Sequence, residues 1–176
     1  MENKLLKIIK YSEIQEPQFI EYIQEWEKNG ENAIPSVTNR NNRSFPELLN
    51  RWALEETDEV YATGFVPASL FFLTDGNHRI LGAIHLRHAL NEKLLHQGGH
   101  IGYGIRPSER GKGYATLLLK MFLKEKKVRE LKKVLITCDD KNIPSFKTIE
   151  NCSGVLWDKV EEGGKIVRRY WINVIE

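Results

Sequence analysis

A basic segment with two glycines, near the middle of the chain, carries residue types suited to binding phosphate. It reads Arg-Gly-Lys-Gly-Tyr-Ala from Arg110 to Ala115, and an alternating apolar run from Ile101 to Ile105 precedes it. Pro107 ends the predicted strand because proline has no N–H to donate to a ladder, and a helical period follows the glycines. Free N–H groups at a helix N-terminus, small residues and positive charge together predict a phosphate site.

The same glycines are compatible with simpler interpretations. An ordinary turn accounts for a glycine pair after a strand about as well as a phosphate site does. Gly-x-x-x-x-Gly-Lys-Ser/Thr is absent, and Gly111, Gly113 and Ala115 have the wrong spacing for Gly-x-Gly-x-x-Gly. The spacing therefore excludes a nucleotide P-loop and a dinucleotide-binding turn.

The segment resembles the pyrophosphate-binding motif of the GNAT superfamily of N-acetyltransferases, which bind acetyl-CoA. The resemblance is carried by Arg-x-x-Gly-x-Ala at Arg110, Gly113 and Ala115, after a strand that ends in Arg-Pro. It is specific over about residues 100–154 and holds only in outline before them. It implies a GNAT-like acyl-CoA N-acyltransferase fold of the α/β class, with a mixed central sheet, splayed parallel strands and flanking helices. It also implies acetyl-CoA as co-substrate, no metal, and membership of a subgroup whose substrate is unassigned.

Carried over position by position, the resemblance implies a set of cofactor contacts. Ile105 and Arg106 would offer backbone groups to the pantetheine arm. The pyrophosphate would be bound by N–H groups of Arg110, Gly111, Lys112, Gly113, Tyr114 and Ala115, with the Thr116 hydroxyl. Asn142 matches the family's cofactor-binding asparagine, with Ser145 as its companion, although Asn142 is equally suited to capping a helix. In this fold the two parallel strands splay apart, and their unpaired main-chain groups can then pair with the amide-bearing pantetheine.

The family reaction is direct attack of an amine on a thioester, which needs a proton acceptor for the ammonium and a proton donor for the thiolate. Many relatives place a tyrosine acid seven residues after the asparagine, and here that position is Ile149. The catalytic candidates are His100 and Tyr103, and further base candidates are His85, His88 and Glu92. Histidine has a suitable pKa for a base, but a lone histidine in a strand is more often packed, and Tyr103 suits the core.

The two cysteines, Cys138 and Cys152, are too few for a disulfide framework and do not form a Cys-x-x-Cys pair. We interpret both as small buried residues, which fits a reduced, cytoplasmic setting. The first eleven residues lack the apolar core of a signal peptide. No apolar run approaches the ~20 residues of a transmembrane helix, so we expect no membrane contact.

Charge is distributed unevenly along the chain, although the formal net charge is only +2. Eleven acids and four bases lie between Glu13 and Glu59, whereas ten bases and three acids lie between Arg106 and Lys133. Most of these residues suit solvated helix faces. If the acidic part forms the acceptor side, it favours a small cationic amine. The lysines from Lys120 to Lys133 lack aromatic partners, so we expect no nucleic-acid binding.

The hydrophobic pattern predicts one mixed α/β domain over residues 1–176, in the order β-α-α-β-β-β-α-β-α-β-β. The predicted strands cover residues 5–11, 69–74, 79–88, 100–105, 133–138, 155–160 and 166–174. Predicted helices start at Ser12 and Ser44, where Ser44 and Glu47 form a capping box, after Gly113, and at Asn142. A short helical turn is predicted over residues 91–96. The segment from the strand before the glycines to the strand after them is a βαβ unit.

These features favour an enzyme that moves an acetyl group from acetyl-CoA to a primary amine. Ile149 motivates one alternative, an acyl-CoA-binding regulatory module without catalysis. The partner expected in either case is a small molecule, and a homodimer is left open.

Overall fold

The computed structural model describes residues 5–174. Its seven strands in that range are β1 (Lys7–Lys10), β2 (Ala68–Thr74), β3 (Ile80–Arg87), β4 (Ile101–Ile105), β5 (Lys133–Asp139), β6 (Val155–Glu162) and β7 (Lys165–Asn173). Its helices are α1 (Glu16–Lys28), α2 (Phe45–Glu55), α3 (Glu92–His96), α4 (Tyr114–Phe122), α5 (Lys126–Arg129) and α6 (Ile143–Glu150). No helix in this part of the chain is both long and apolar enough to cross a membrane.

The strands form two antiparallel sheets, one in the order β1-β2-β3-β4 and one in the order β5-β7-β6. Alternate side chains of β2 enter two different cores. Leu70 and Phe72 pack with α1 and α2, whereas Phe71 and Leu73 pack with α4, β5 and β7. Burial on both faces explains the nearly continuous apolar sequence of this strand.

The two sheets meet at β4 and β5, which run side by side in the same direction. At the start of β4, the His100 N–H donates to the Leu135 carbonyl at 2.7 Å, and the Leu135 N–H donates to His100 Nδ1 at 2.9 Å. Further along, Tyr103 reaches Ser145, beyond the end of β5. No ladder joins the two strands within residues 5–174. They therefore separate after His100, as the predicted splay requires, and leave a gap that we call the β4–β5 gap.

Most element boundaries agree with the sequence prediction, and the Ser44–Glu47 capping box is present. The predicted cap at Ser12 is wrong, because Ser12 lies in a 3-10 turn and α1 begins one turn later, after Gln15. The helix after the glycines ends at Phe122, and an extended backbone at Glu125 separates it from α5.

Candidate active site

The β4–β5 gap exposes the free edge of β4. Backbone pairing with β3 uses the His100 carbonyl, the Arg106 N–H and the main-chain groups of the even-numbered residues between them. Main-chain groups alternate sides along a strand, so Ile101, Tyr103 and Ile105 direct theirs into the gap. An extended ligand that carries amides can pair with such groups.

The turn before α4 presents a row of unpaired N–H groups. Gly111 and Gly113 adopt left-handed backbone conformations, with φ of 73° and 82°. A Cβ at either position would have no neighbour within 4 Å, so the surface above both glycines is open. The N–H groups of residues 111–116 donate no hydrogen bond within the described part of the chain, and the first bond of α4 is donated by Leu117 to Gly113 at 3.1 Å. An open row of N–H groups at a helix N-terminus fits an anion such as a diphosphate.

The side chain of Arg110 is held by the protein itself. Two guanidinium nitrogens bind the two carboxylate oxygens of Glu31 at 2.9 and 2.7 Å, and Nε donates to the Ile105 carbonyl at 3.2 Å. The guanidinium also lies over the ring of Trp26, 4.8 Å from the centroid. The Arg110 N–H, which the sequence assigned to the pyrophosphate, donates instead to the Pro107 carbonyl at 3.3 Å. Arg110 therefore fixes the turn against the segment after α1, and the N–H groups of residues 111–116 are the free donors.

Arg106 is the other arginine that the sequence assigned to the cofactor, and it too is bonded internally. Its side chain is 2% exposed and binds Glu21 at 2.7 and 2.9 Å, Glu25 at 2.6 Å and the Ile80 carbonyl at 2.9 Å. Its N–H donates to the Leu81 carbonyl, and its own carbonyl accepts from Glu109. Arg106 therefore joins α1 to the end of β4, and both of its main-chain groups already have partners.

Six of the eleven acids between Glu13 and Glu59 form ion pairs with the protein's own basic groups. Ion pairs within 4 Å join Glu21 and Glu25 to Arg79 and Arg106, Glu27 to Arg40, Glu31 to Arg110, Glu55 to Arg51 and Glu56 to Lys10. Glu47 caps α2 through Ser44. The charge of this segment therefore supplies no evidence for a cationic acceptor, contrary to the argument from the sequence alone.

Three predicted residues meet at the start of α6. Asn142 caps this helix, because its side-chain oxygen accepts the Ser145 N–H at 3.2 Å. The Tyr103 hydroxyl lies 3.3 Å from the Ser145 carbonyl and 3.4 Å from its hydroxyl. A side chain from β4 thus crosses the gap to α6, one turn before Ile149. Ile149 itself is fully buried in the core.

The surroundings of Tyr103 determine its protonation state. Burial raises the pKa of Tyr103 to about 12, so the hydroxyl keeps its proton at neutral pH. The neutral hydroxyl is unsuited to accept a proton, and the raised pKa also makes it a weaker proton donor than an ordinary tyrosine. The structure therefore argues against Tyr103 as the general base and is compatible with an acid.

His100 occupies a structural position. It is 7% exposed, and its Nδ1 lone pair accepts the Leu135 N–H. Burial, with a smaller contribution from the Arg87 charge, lowers its pKa to about 4. A base with an occupied lone pair and this pKa is unsuited to deprotonating an ammonium. We therefore assign His100 to the junction of β4 and β5 rather than to catalysis.

The other base candidates lie outside the gap or are engaged. His88 is 2.8 Å from the Ser69 hydroxyl, and Glu92 is exposed in the first turn of α3. His85 is buried opposite Gly102, with its Nε2 3.6 Å from a carboxylate oxygen of Glu55. Desolvation lowers the pKa of His85.

The two cysteines are buried, as predicted. Burial raises the pKa of the Cys138 thiol to about 11, and it also raises the pKa of Cys152. Thiols in this state are poor nucleophiles at neutral pH. The chain therefore provides no activated cysteine for a covalent acetyl-enzyme among the residues described.

A cavity of about 320 Å³ opens beside the gap, on the side where the segment between α1 and α2 lies. We call it the acceptor-side cavity. Its polar lining comes from Ser36, Arg87, Gln97, Thr137 and Asp139. Sequence reasoning missed these residues, which come from separate segments of the chain. The one local signal is a charged residue at the end of an apolar strand, which β3 shows at Arg87 and β5 at Asp139.

Comparisons with known proteins bear on the family and on the fold. Residues 9–154 match the family model described as an acetyltransferase (GNAT) domain. No curated protein matches the sequence.

Solved structures match over nearly the whole chain. A ribosomal-protein-S5-alanine acetyltransferase from Vibrio fischeri is 17% identical, with a TM-score of 0.63 and coverage of 98% of this chain and 94% of that one. A spermidine N-acetyltransferase from Vibrio cholerae, solved with CoA and spermine, is 16% identical, with a TM-score of 0.62 and coverage of 96% and 95%. At these identities the likeness establishes the fold.

Proposed function

Because the chain belongs to the GNAT family of acetyltransferases, we propose that it transfers an acetyl group from acetyl-CoA directly to a primary amine. One observation carries the proposal. The unpaired N–H groups of residues 111–116 follow the free edge of β4 in the chain, and Arg110 joins the two by its bond to the Ile105 carbonyl. A diphosphate and an amide-bearing arm can therefore bind next to each other.

The cofactor contacts that we propose are mainly backbone contacts. The N–H groups from Gly111 to Thr116 bind the diphosphate, and the Thr116 hydroxyl adds a donor. The main-chain groups of Tyr103 and the N–H of Ile105 pair with the pantetheine arm. Asn142 uses its side-chain oxygen for the helix cap and keeps its amide N–H₂ for the ligand. Arg106 and the guanidinium of Arg110 act indirectly, by holding the turn in place.

Bound acetyl-CoA supplies a thioester carbonyl, on which an uncharged amine forms the C–N bond as the C–S bond breaks and a thiolate leaves. The thiolate needs a proton, and we propose that Tyr103 donates it. The ammonium of the acceptor loses its proton to water before the attack, and the proton that the nitrogen releases on becoming an amide returns to the tyrosinate through water. Tyr103 is protonated at neutral pH and its hydroxyl lies next to α6. The hydroxyl that many relatives carry on this helix thus comes from β4, while Ile149 fills the core.

Direct transfer is favoured over a covalent acetyl-enzyme. The raised pKa values of Cys138 and Cys152 leave both thiols protonated at neutral pH. An acetyl-enzyme would need a thiolate paired with a base, and neither cysteine has one among the described residues.

The acceptor that we propose is a primary amine, which is cationic before it loses its proton. The solved relatives named above act on spermidine and on a ribosomal-protein alanine, so small cationic amines and peptide N-termini are the first acceptors to test. The ion pairs of the N-terminal acids do not select between them.

The test is to incubate the protein with acetyl-CoA and a panel of polyamines, amino acids, aminoglycosides and peptides, and to follow thiol release. We expect release that depends on the amine, with one acetylated product by mass spectrometry. Calorimetric binding of CoA without thiol release on any amine would favour a regulatory module instead. Absence of CoA binding would contradict the proposal.

A further inference from the structure

The arginines of this protein fall into two groups, those with a carboxylate partner and those without one. Seven of them have a carboxylate within 4 Å: Arg40, Arg51, Arg79, Arg106, Arg110, Arg168 and Arg169. Among the residues described, Arg43, Arg87 and Arg129 have none. Arg43 and Arg129 are exposed to water, whereas Arg87 is partly buried. A partly buried guanidinium without an anion is costly in free energy, because desolvation is not offset by a partner.

The geometry of Arg87 leaves one edge of its guanidinium free. Nη1 donates to the carbonyls of Gly98 and Gly99 at 3.0 and 3.1 Å. Nε and Nη2 contact no acceptor within residues 5–174. These two nitrogens form the edge that binds a carboxylate with two parallel hydrogen bonds. The bonds to Gly98 and Gly99 fix the plane of the fork, so little side-chain entropy is lost when that edge is occupied.

Two charged residues line the acceptor-side cavity. They are Arg87, at the end of β3, and Asp139, at the end of β5. One of its oxygens accepts the Lys141 N–H at 2.8 Å, and no cation of the described chain lies within 4 Å of its carboxylate. The cavity thus combines a cation from β3 with an anion from β5, on opposite sides of the β4–β5 gap. Glu55, the carboxylate whose charge acts on Arg87, binds Arg51 at 3.0 Å instead.

We propose that the acceptor carries a carboxylate as well as an amine, as an amino acid does. Arg87 binds the carboxylate through Nε and Nη2, and Asp139 receives the ammonium beside the gap. This inference rests on the proposed acetyl transfer and names its substrate class. A polyamine has no anion for Arg87 and adds positive charge beside it, so the same cavity disfavours polyamines.

The first test compares acceptors that differ only in the carboxylate, on the unaltered protein. Lysine and cadaverine form one pair, and alanine and alaninamide form another. We expect kcat/KM to be at least about 10-fold higher for the carboxylate member of each pair, mainly through a lower KM. Equal values, or higher values for cadaverine and alaninamide, would overturn the inference while leaving acetyl transfer intact.

A binding measurement separates the two proposals. Calorimetry with the protein saturated by CoA reports acceptor binding whether or not acetyl transfer occurs. We expect lysine to bind at least about 10-fold more tightly than cadaverine. Thiol release on no amine would contradict the proposed function, and calorimetry would still decide the carboxylate preference. Failure of both members to bind would overturn the inference.

Variants at Arg87 assign the preference to this side chain. Arg87→Gln should reduce the ratio between lysine and cadaverine to near 1, and Arg87→Lys should keep part of it because a cation remains. Arg43→Gln removes an exposed, unpaired arginine and should leave the ratio unchanged. Thermal unfolding and CoA affinity report whether each variant is folded. A preference that survives in folded Arg87→Gln would overturn the assignment.

Discussion

The two sides of the β4–β5 gap are built in different ways. The proposed phosphate side consists of backbone N–H groups from consecutive residues, 111–116, and its shape depends on two left-handed glycines. The proposed acceptor side consists of side chains from separate segments. A site that consists of main-chain groups from consecutive residues can be recognised in one short stretch of sequence. A site made of side chains exists only after the fold has brought distant segments together.

Mutations on the two sides should therefore have different effects on ligand binding. The phosphate side is sensitive to any side chain that covers its N–H groups, whereas the acceptor side is sensitive to the identity of single charged residues. Tyr103, Arg106 and His100 connect β4 and its end to α6, α1 and β5. The following substitutions separate binding, support and catalysis.

The largest expected effect on ligand binding is on the phosphate side. Gly113→Asp places a carboxylate over the N–H row, where it repels a diphosphate and covers its donors. We expect CoA affinity to fall by at least about 100-fold, or about 2.7 kcal/mol, in calorimetry. The fold should persist, because a Cβ at Gly113 meets no atom within 4 Å.

Gly64→Asp is the matched control. Gly64 has φ of 81°, and a Cβ there would also have no neighbour within 4 Å, so the backbone strain is the same and only the location differs. Its CoA affinity should stay within about 2-fold of the unaltered protein, since a backbone strain of about 1 kcal/mol at this distant turn acts on stability alone. Similar losses in both variants would place the diphosphate elsewhere.

Arg106, which joins α1 to the end of β4, should contribute to the stability of the fold. Arg106→Ala removes the buried links to Glu21, Glu25 and the Ile80 carbonyl. We expect the free energy of unfolding in urea to fall by about 2–4 kcal/mol. Arg79→Ala, in the same ion-pair network but with a side chain that is 32% exposed, should cost less than about 1 kcal/mol. Equal costs would show that burial of Arg106 is unimportant.

The proposed acid gives the next effect. Tyr103→Phe should lower kcat by about 100-fold while CoA affinity changes little. The deficit should shrink with an acetyl thioester whose leaving thiol is more acidic, because such a thiolate needs less protonation. Tyr61→Phe, at an exposed tyrosine, should have no effect. Full activity in Tyr103→Phe would remove this residue from the mechanism.

The smallest expected effect concerns His100, which joins β4 to β5, and it is a pH dependence of the stability. Its pKa is about 4 in the folded protein, below the value of about 6.5 expected when it is unfolded. The unfolded state therefore binds the proton more tightly. The stabilisation is complete above pH 6.5 and is lost as pH falls towards 4, by about 2 kcal/mol between pH 7 and pH 5.

His100→Asn keeps an acceptor for the Leu135 N–H and removes the titration. Its unfolding free energy should depend less on pH than that of the unaltered protein over the same range. Its kcat should stay within a few-fold. A collapse of kcat with unchanged stability would restore His100 as a base.

The part of the site that could be predicted follows from local physics. Left-handed glycines and a helix N-terminus depend only on residues that are close together in the chain. The turn at Gly111 and Gly113 could therefore be predicted from the sequence. The capping box at Ser44 was readable for the same reason. The fold class followed from the order of strand and helix periods.

The rest depends on contacts between distant residues. No local pattern shows that Arg106 is bound by Glu21 and Glu25, more than 80 residues earlier, or that Glu31 holds Arg110. Consequently the sequence prediction placed Arg106 at the cofactor, although the fold uses this residue internally. It also predicted an acidic surface that includes Glu21, Glu25 and Glu31, which are paired with arginines. The role of His100 was equally hidden, because its partner Leu135 lies on β5.

Amide NMR during a titration with CoA, repeated with pantetheine, tests the central claim most directly. We expect the N–H signals of residues 111–116 to shift with CoA and to stay in place with pantetheine, which lacks the diphosphate. The signals of Tyr103 and Ile105 should shift with both ligands. Unmoved signals from Gly111 to Thr116 at saturating CoA would contradict the account.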